Sequence, residues 1–268
     1  MANPLKRYRI TNDERLDLET FDTRAEVIDT HDVDDALSAL QKEIGALQNA
    51  LFAESTRSLL VVLQGMDTSG KDGVTIAVFD KTHPQGLVVT PYKAPSSEEA
   101  AHDFLWRVHA HAPRKGMIAV FNRSHYEAVI AERVLGLADR AECRRRYRQI
   151  VDFERLLYEH GTVIVKCFLH ISKDEQKVRL QSRLDEPTKH WKFNPNDLVE
   201  RGRWDLNRTA YTDAIRRTAT RGAPWWIVPS DRKEHRNLMV ATLVRDALRK
   251  MDPQYPPLAP EYVGATIA

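Results

Sequence analysis

The stretch SLLVVLQGMDTSGKDG, residues 58–73, decides the fold. Its first half, Ser58 to Gly65, is an almost unbroken apolar run of strand length ending in glycine, the pattern of a strand buried on both faces. Its second half sets Gly65, Gly70 and Lys71 on the marks of G-x-x-x-x-G-K-[ST], the template of a phosphate-cradling loop, and VTIAVFDK (74–81) opens a helix directly behind it. Strand, glycine loop and helix together are the context in which the template has meaning, because backbone N–H groups at a helix start and the helix dipole both attract anions. Asp72 breaks the template: a carboxylate stands where a magnesium-holding hydroxyl is expected.

Outward from this stretch, apolar strand-length runs recur at 86–93, 117–122, 162–171 and 224–230, separated by segments with helical periodicity. Val33 to Phe52 reads as an amphipathic helix, and Ser96 with Glu99 is a capping box that predicts one helix through residues 98–112. Helices are also predicted over 125–135, 142–158, 173–184, 204–220 and 232–250, with an extended proline-rich tail after them. Strands without polar alternation, separated by helices, imply a parallel sheet covered on both faces. The expected architecture is α/β: a P-loop kinase-like three-layer α/β/α sandwich with a five-stranded parallel sheet and a helical lid. Residues 1–54 are expected to form an arm and a helix. Residues 55–268 are expected to form the core, with the lid at about 184–197, where DEPTKHWKFNPND and its two prolines interrupt the helices.

Composition narrows the class. With 42% hydrophobic and 29% charged residues and a net charge of +2, the chain is ordinary for a globular protein. No run of about 18 apolar residues and no signal-like start occurs, which predicts a cytoplasmic protein with no membrane partner, and the balanced charge argues against nucleic acid as partner. Cys143 and Cys167 lack metal or redox spacing and are read as buried thiols.

Three constellations carry chemistry. In the loop, the backbone of Thr68, Ser69, Gly70, Asp72 and Gly73 is expected to bind phosphate, with Lys71 adding a point charge. Asp67 and Asp72 beside an anion site repel the ligand unless a cation lies between them, so both are candidate magnesium ligands, with manganese an alternative ion. In VFNRSHYE (120–127), Asn122, Arg123 and Glu127 follow a strand and should face the same crevice as the loop, Arg123 as a stabiliser of transferred charge. In KVRLQSRLDEPTKHWKF (177–193), Arg179 and Arg183 share a helix face, and Lys189, Trp191 and Lys192 follow in a lid-like loop. The run Arg144 to Arg148 reads equally well as a solvated helix face.

These stretches, with HPQG (83–86), KAPS (93–96), HDFLWR (102–107) and PWWIVPSDRK (224–233), resemble the polyphosphate kinase 2 family from about Leu59 to Pro257, and within it the class III type acting on AMP and ADP. The resemblance implies Mg2+-dependent, reversible phosphoryl transfer between inorganic polyphosphate and adenine or guanine nucleotides, by a homodimer or homotetramer. It also implies essential roles for Asp67, Lys71, Arg123 and Arg183, and a polyphosphate path along Lys81, Lys93, Lys189 and Lys192. Ala128 departs from the pattern, which expects an acidic residue there, and so bears on the balance between the monophosphate and diphosphate steps. Two other readings share the loop. An ATP-dependent nucleoside monophosphate kinase should carry Ser or Thr at position 72, and a non-catalytic polyanion- or RNA-binding protein should bind without turnover.

Overall fold

The computed structural model describes residues 4–11 and 15–267. Its strands are β1 (Arg9–Ile10), β2 (Ser58–Gln64), β3 (Leu87–Pro91), β4 (Ile118–Asn122), β5 (Thr162–His170) and β6 (Trp225–Pro229). Among them run α1 (Val33–Glu54), α2 (Lys71–Phe79), α3 (Ser97–Ala100), α4 (Trp106–His109), α5 (Ala131–Val134), α6 (Arg140–Glu159), α7 (Lys173–Asp185), α8 (Asn196–Gly202), α9 (Trp204–Thr218) and α10 (Lys233–Met251). The sheet is six-stranded in the order β1-β6-β5-β2-β4-β3. Five strands are parallel, as expected, and β2 lies centrally between β4 and β5 with every residue buried. Helices α1, α2 and α10 pack together over one face, and α6 and α9 cover the other.

The sixth strand is a correction to the expected five. Residues 4–11 form a 3-10 turn (Pro4–Tyr8) and then β1, which pairs antiparallel with β6, Ile10 opposite Trp225. Leu5, Tyr8, Ile10, Leu18 and Phe21 are buried, so this segment covers an edge of the sheet. A strand of two residues has no period to read, which is why the sequence pattern misses it.

Local capping accounts for three other differences. The helix expected over 98–112 is the two short helices α3 and α4, because Asp103 turns back to accept the Leu105 N–H (2.9 Å). Residues 125–135 split into a 3-10 turn (His125–Ala128), where the Ser124 hydroxyl accepts the Tyr126 N–H (3.2 Å), and α5. The lid is a 3-10 turn (Pro187–Lys192) followed by α8, before which the Asn194 side chain accepts the Asn196 N–H (3.0 Å). Both cysteines are buried and free, and no helix among the described residues is long and apolar enough to cross a membrane.

Behind β4 and β5 lies a buried ionic cluster. Lys166, fully buried in β5, donates from Nζ to Glu154 Oε2 (2.6 Å), the Thr218 carbonyl (2.9 Å) and Tyr126 Oη (3.0 Å). Tyr126 Oη in turn donates to Glu154 Oε1 (2.7 Å), and Trp225 Nε1 donates to Thr218 Oγ1 (3.0 Å). Burial lowers the pKa of Lys166 despite Glu154; Glu154, against its own burial, is held low by Lys166 and His125. The cluster anchors Tyr126 and so fixes the backbone that presents Arg123 and Glu127. Since a buried charge stripped of its partner is strongly destabilising, Glu154→Gln should cost about 3–5 kcal/mol in urea unfolding, whereas Glu154→Leu combined with Lys166→Met should cost far less. A loss below about 1 kcal/mol for the single variant contradicts this assignment.

Candidate phosphate-transfer site

The sheet's carboxyl edge gathers the site. At the end of β2 the chain turns through Gly65, Thr68 (φ +64°) and Gly70 (φ +99°) into α2. No side chain caps α2, so its first-turn N–H groups, which lack intrahelical acceptors, stay open to a ligand. The Thr68 and Ser69 hydroxyls are buried inside the loop and have no hydrogen-bond partner among the described residues. Orphaned polar atoms of this kind ask for a polar ligand.

Lys71, nearly buried, turns back and donates from Nζ to the Gly65 (2.7 Å) and Met66 (3.4 Å) carbonyls. Burial, reinforced by the positive charge of Arg123, lowers its pKa to about 8, against the pull of Asp67, Glu127 and Asp72. Arg123 follows β4 in the left-handed region (φ +61°), donates its backbone N–H to the Leu63 carbonyl (3.0 Å), and pairs through Nη2 with Asp67 Oδ1 (3.0 Å). Asn122 Nδ2 donates to Asp72 Oδ1. Against its burial, Arg123 is raised by Glu127 and Asp67, while burial raises Glu127 despite Arg123 and Lys71. The first two constellations are therefore one cluster, at the carboxyl ends of the neighbouring strands β2 and β4.

The lid residues are not all brought there. Arg183 Nη1 binds Asp197 Oδ2 (2.7 Å) and the Lys192 carbonyl (3.0 Å), at the base of the lid. Lys189 pairs with Glu186 (2.5 Å), and Lys192 lies over the exposed ring of Trp191 (5.0 Å to its centroid). Arg179 departs from the lid and nucleotide role expected of it. It sits under the loop, donating to the Thr68 (2.9 Å), Ser69 (3.3 Å), Ser230 (2.6 Å) and Asp231 (3.0 Å) carbonyls and to Glu175 (2.8 Å). Lys81 lies past the far end of α2, about 15 Å from the loop by helix rise, paired with Asp80. Lys93, after β3, does border the site.

A cavity of about 610 Å³ opens from the loop. Its lining combines Gly65, Asp67, Arg123 and Glu127 with the apolar side chains of Phe104, Ala128, Ile130, Leu135 and Leu137, and with Asp197 and Glu200 of α8. Ala128 is buried in this wall and its carbonyl accepts from Arg146 Nη1 (2.7 Å). Asp197, raised by burial and by the charge of Asp67, was not visible in the sequence as a site residue, and nor was Arg236, which donates from Nη1 to the Ser69 carbonyl (3.0 Å) behind the loop. A charged residue in a helix carries no sequence mark of such a role. Lys166, lone charge in the apolar run TVIVKCFLHI, did carry one, since buried charges need partners.

A central loop-bearing strand, an anion-accepting helix start and a convergent lysine and arginine define a P-loop phosphotransferase. The family model described as Polyphosphate kinase 2 (PPK2) matches residues 27–256. The chain is 45% identical over 255 residues to the AMP/ADP-polyphosphate phosphotransferase of Meiothermus ruber, covering 94% of this chain and 96% of that one. It is 36% identical over 269 residues to the ADP-polyphosphate phosphotransferase of Rhodopseudomonas palustris, with 95% and 93% covered. The crystal structure of Polyphosphate Kinase 2 from Arthrobacter aurescens TC1 matches with a TM-score of 0.91 and 42% identity, covering 96% of this chain and 92% of that one. The chain belongs to the polyphosphate kinase 2 family.

The state of Lys71 gives a pH dependence. Its protonated form attracts the anion, and its pKa in the free site is about 8; a bound anion raises that value, so binding takes up a proton above pH 8 and affinity falls as pH rises. Titration calorimetry with tripolyphosphate should show this fall, and Lys71→Met should bind weakly with most of the slope gone. An equal slope in the variant assigns the titration to another group.

Proposed function

We propose that the protein transfers phosphoryl groups reversibly between inorganic polyphosphate and the nucleotides ADP and AMP, with guanine nucleotides as further acceptors. The observation that carries this reading is one cavity whose lining joins Gly65, Asp67 and Arg123 to the apolar Phe104, Ile130 and Leu135, which suits a nucleotide whose base lies on the apolar side chains and whose phosphates meet Arg123 and its neighbour Lys71. The printed activities of the relatives support the same reading.

The chemistry needs no general base. A terminal phosphate oxygen of the nucleotide, already ionised near neutral pH, attacks the terminal phosphorus of polyphosphate; a P–O bond forms, the bridging P–O bond to the chain breaks, and the shortened chain leaves with that electron pair. Lys71 and the α2 amides hold the oxygens of the group in transfer, and Arg123 compensates the charge that spreads over them. Arg183 and the lid lysines close over the phosphates and exclude water. Lys93, at the cavity rim, guides the incoming chain.

A divalent cation, magnesium or manganese, fits Asp67 and Asp72. They flank an anion loop, and carboxylate oxygens beside bound phosphate would hold such a hard cation. When bound, such an ion neutralises phosphate charge. Asp72 thus stands in for the missing hydroxyl, held in place by Asn122. We place the reaction in the cytoplasm, where its nucleotides are, and assign a dimer or tetramer, which would cover exposed Val88 and Val89 on edge strand β3.

Supplying AMP or ADP separately with long-chain polyphosphate and magnesium, and following products by chromatography, should yield ADP and ATP without added ATP. Product from ADP alone confines the enzyme to the diphosphate step, and product only with ATP as donor replaces this reading with the monophosphate kinase. Asp67→Asn should reduce turnover by about 10³-fold or more, as loss of a metal ligand or charge-positioning group does; retained activity removes Asp67 from the mechanism.

A further inference from the structure

Behind the phosphate loop, on the side away from the cavity, two guanidinium groups meet the same carbonyl oxygen, that of Ser69: Arg179 Nη1 at 3.3 Å and Arg236 Nη1 at 3.0 Å. They differ in one respect. Arg179 has a carboxylate partner, Glu175, at 2.8 Å. Arg236 is 3% exposed and, among the described residues, forms no ion pair; its Nη2 and Nε donate instead to the neutral Asn237 Oδ1 at 2.8 and 3.2 Å. A buried guanidinium without a counter-charge is costly, and proteins seldom keep one without a use. Burial and the neighbouring charge of Arg179 lower its pKa to about 9, with Glu234 the only opposing influence.

The backbone explains the use. Gly70 starts α2 with φ +99°, and a Cβ there would collide with the Arg236 guanidinium, so the arginine lies directly against the loop where the uncapped helix begins. By drawing the Ser69 carbonyl backwards it turns the following N–H groups forwards. Its charge lies across a single thickness of backbone from the bound phosphate, in surroundings too dry to screen it.

We infer that Arg236 is a positioning residue of the phosphate site, a buried and deliberately unpaired cation whose counter-charge is the phosphate bound on the opposite face of the loop. The ligand-free protein bears the strain of the unmatched charge, and polyphosphate relieves it. This rests on the proposed reading of the loop as the phosphate site.

Asn237→Asp tests the idea without removing the arginine, by setting a carboxylate against its Nη2 and Nε. Thermal unfolding with and without tripolyphosphate, together with calorimetric affinity, should show the ligand-free variant more stable than wild type and its tripolyphosphate affinity about tenfold weaker, the loss expected when one charge contact is neutralised. Arg236→Met should likewise bind more weakly. A merely structural arginine predicts the same gain in stability for Asn237→Asp but with affinity intact, and that result overturns the inference. Wild-type protein that binds no tripolyphosphate overturns the reading of the loop and the inference with it, whereas wild-type binding matched by both variants overturns the inference alone.

Discussion

Everything in this molecule depends on the direction in which a short length of backbone points. Between Gly65 and Lys71 the chain must leave N–H groups free for an anion and dispose of its carbonyl oxygens elsewhere. The structure meets this demand from behind. Arg179 and Arg236 collect the carbonyls of Thr68 and Ser69, Lys71 collects those of Gly65 and Met66, and Gly65 and Gly70 supply conformations that side chains resist. The fully buried β2 then holds the loop at the centre of the sheet, where β4 and β5 bring their own carboxyl ends alongside.

Charge follows from that geometry. Lys71, Arg123, Arg179 and Arg236 crowd positive charge about the loop, Asp67, Glu127 and Asp197 answer it from the cavity wall, and Asp72 answers it from the exposed start of α2. The balance is local and explains why a net charge of +2 says little about affinity for a polyanion. It also explains the carboxylate at position 72. With Asn122 ending β4 in place of an acidic residue, Asp67 and Asp72 are the carboxylates that the proposed mechanism gives to a divalent cation, and Asn122 holds Asp72 by a hydrogen bond.

Much of this was legible in the residues because it rests on periodicity and punctuation. The apolar run of β2, the glycines after it and the alternation of strands with helices required a parallel sheet with a loop at its carboxyl edge. Asn122, Arg123 and Glu127 could be placed by the rule that such sheets bind ligands beyond their strand ends. What escaped has no period: β1, two residues long; the breaks at Asp103 and Ser124, where one side chain captures one backbone N–H; and α8, which follows a similar capture by Asn194. Arg179 shows the limit of spacing arguments. Four residues from Arg183 on one helix, it was expected to share Arg183's task, but it lies one turn nearer the start of α7, against the loop and the Ser230 and Asp231 carbonyls, while Arg183 turns to Asp197 in α8. Arg236 lay in a charged helix start, indistinguishable by sequence from a surface residue.

A crystal structure of the protein with tripolyphosphate bound decides whether this loop holds the group in transfer. Phosphate oxygens should lie on the N–H groups of Gly70 to Gly73, with Lys71 Nζ released from the Gly65 carbonyl to meet them and Arg179 and Arg236 unmoved behind Ser69. Phosphate bound elsewhere, with Lys71 still folded onto Gly65, removes the loop from the transfer step.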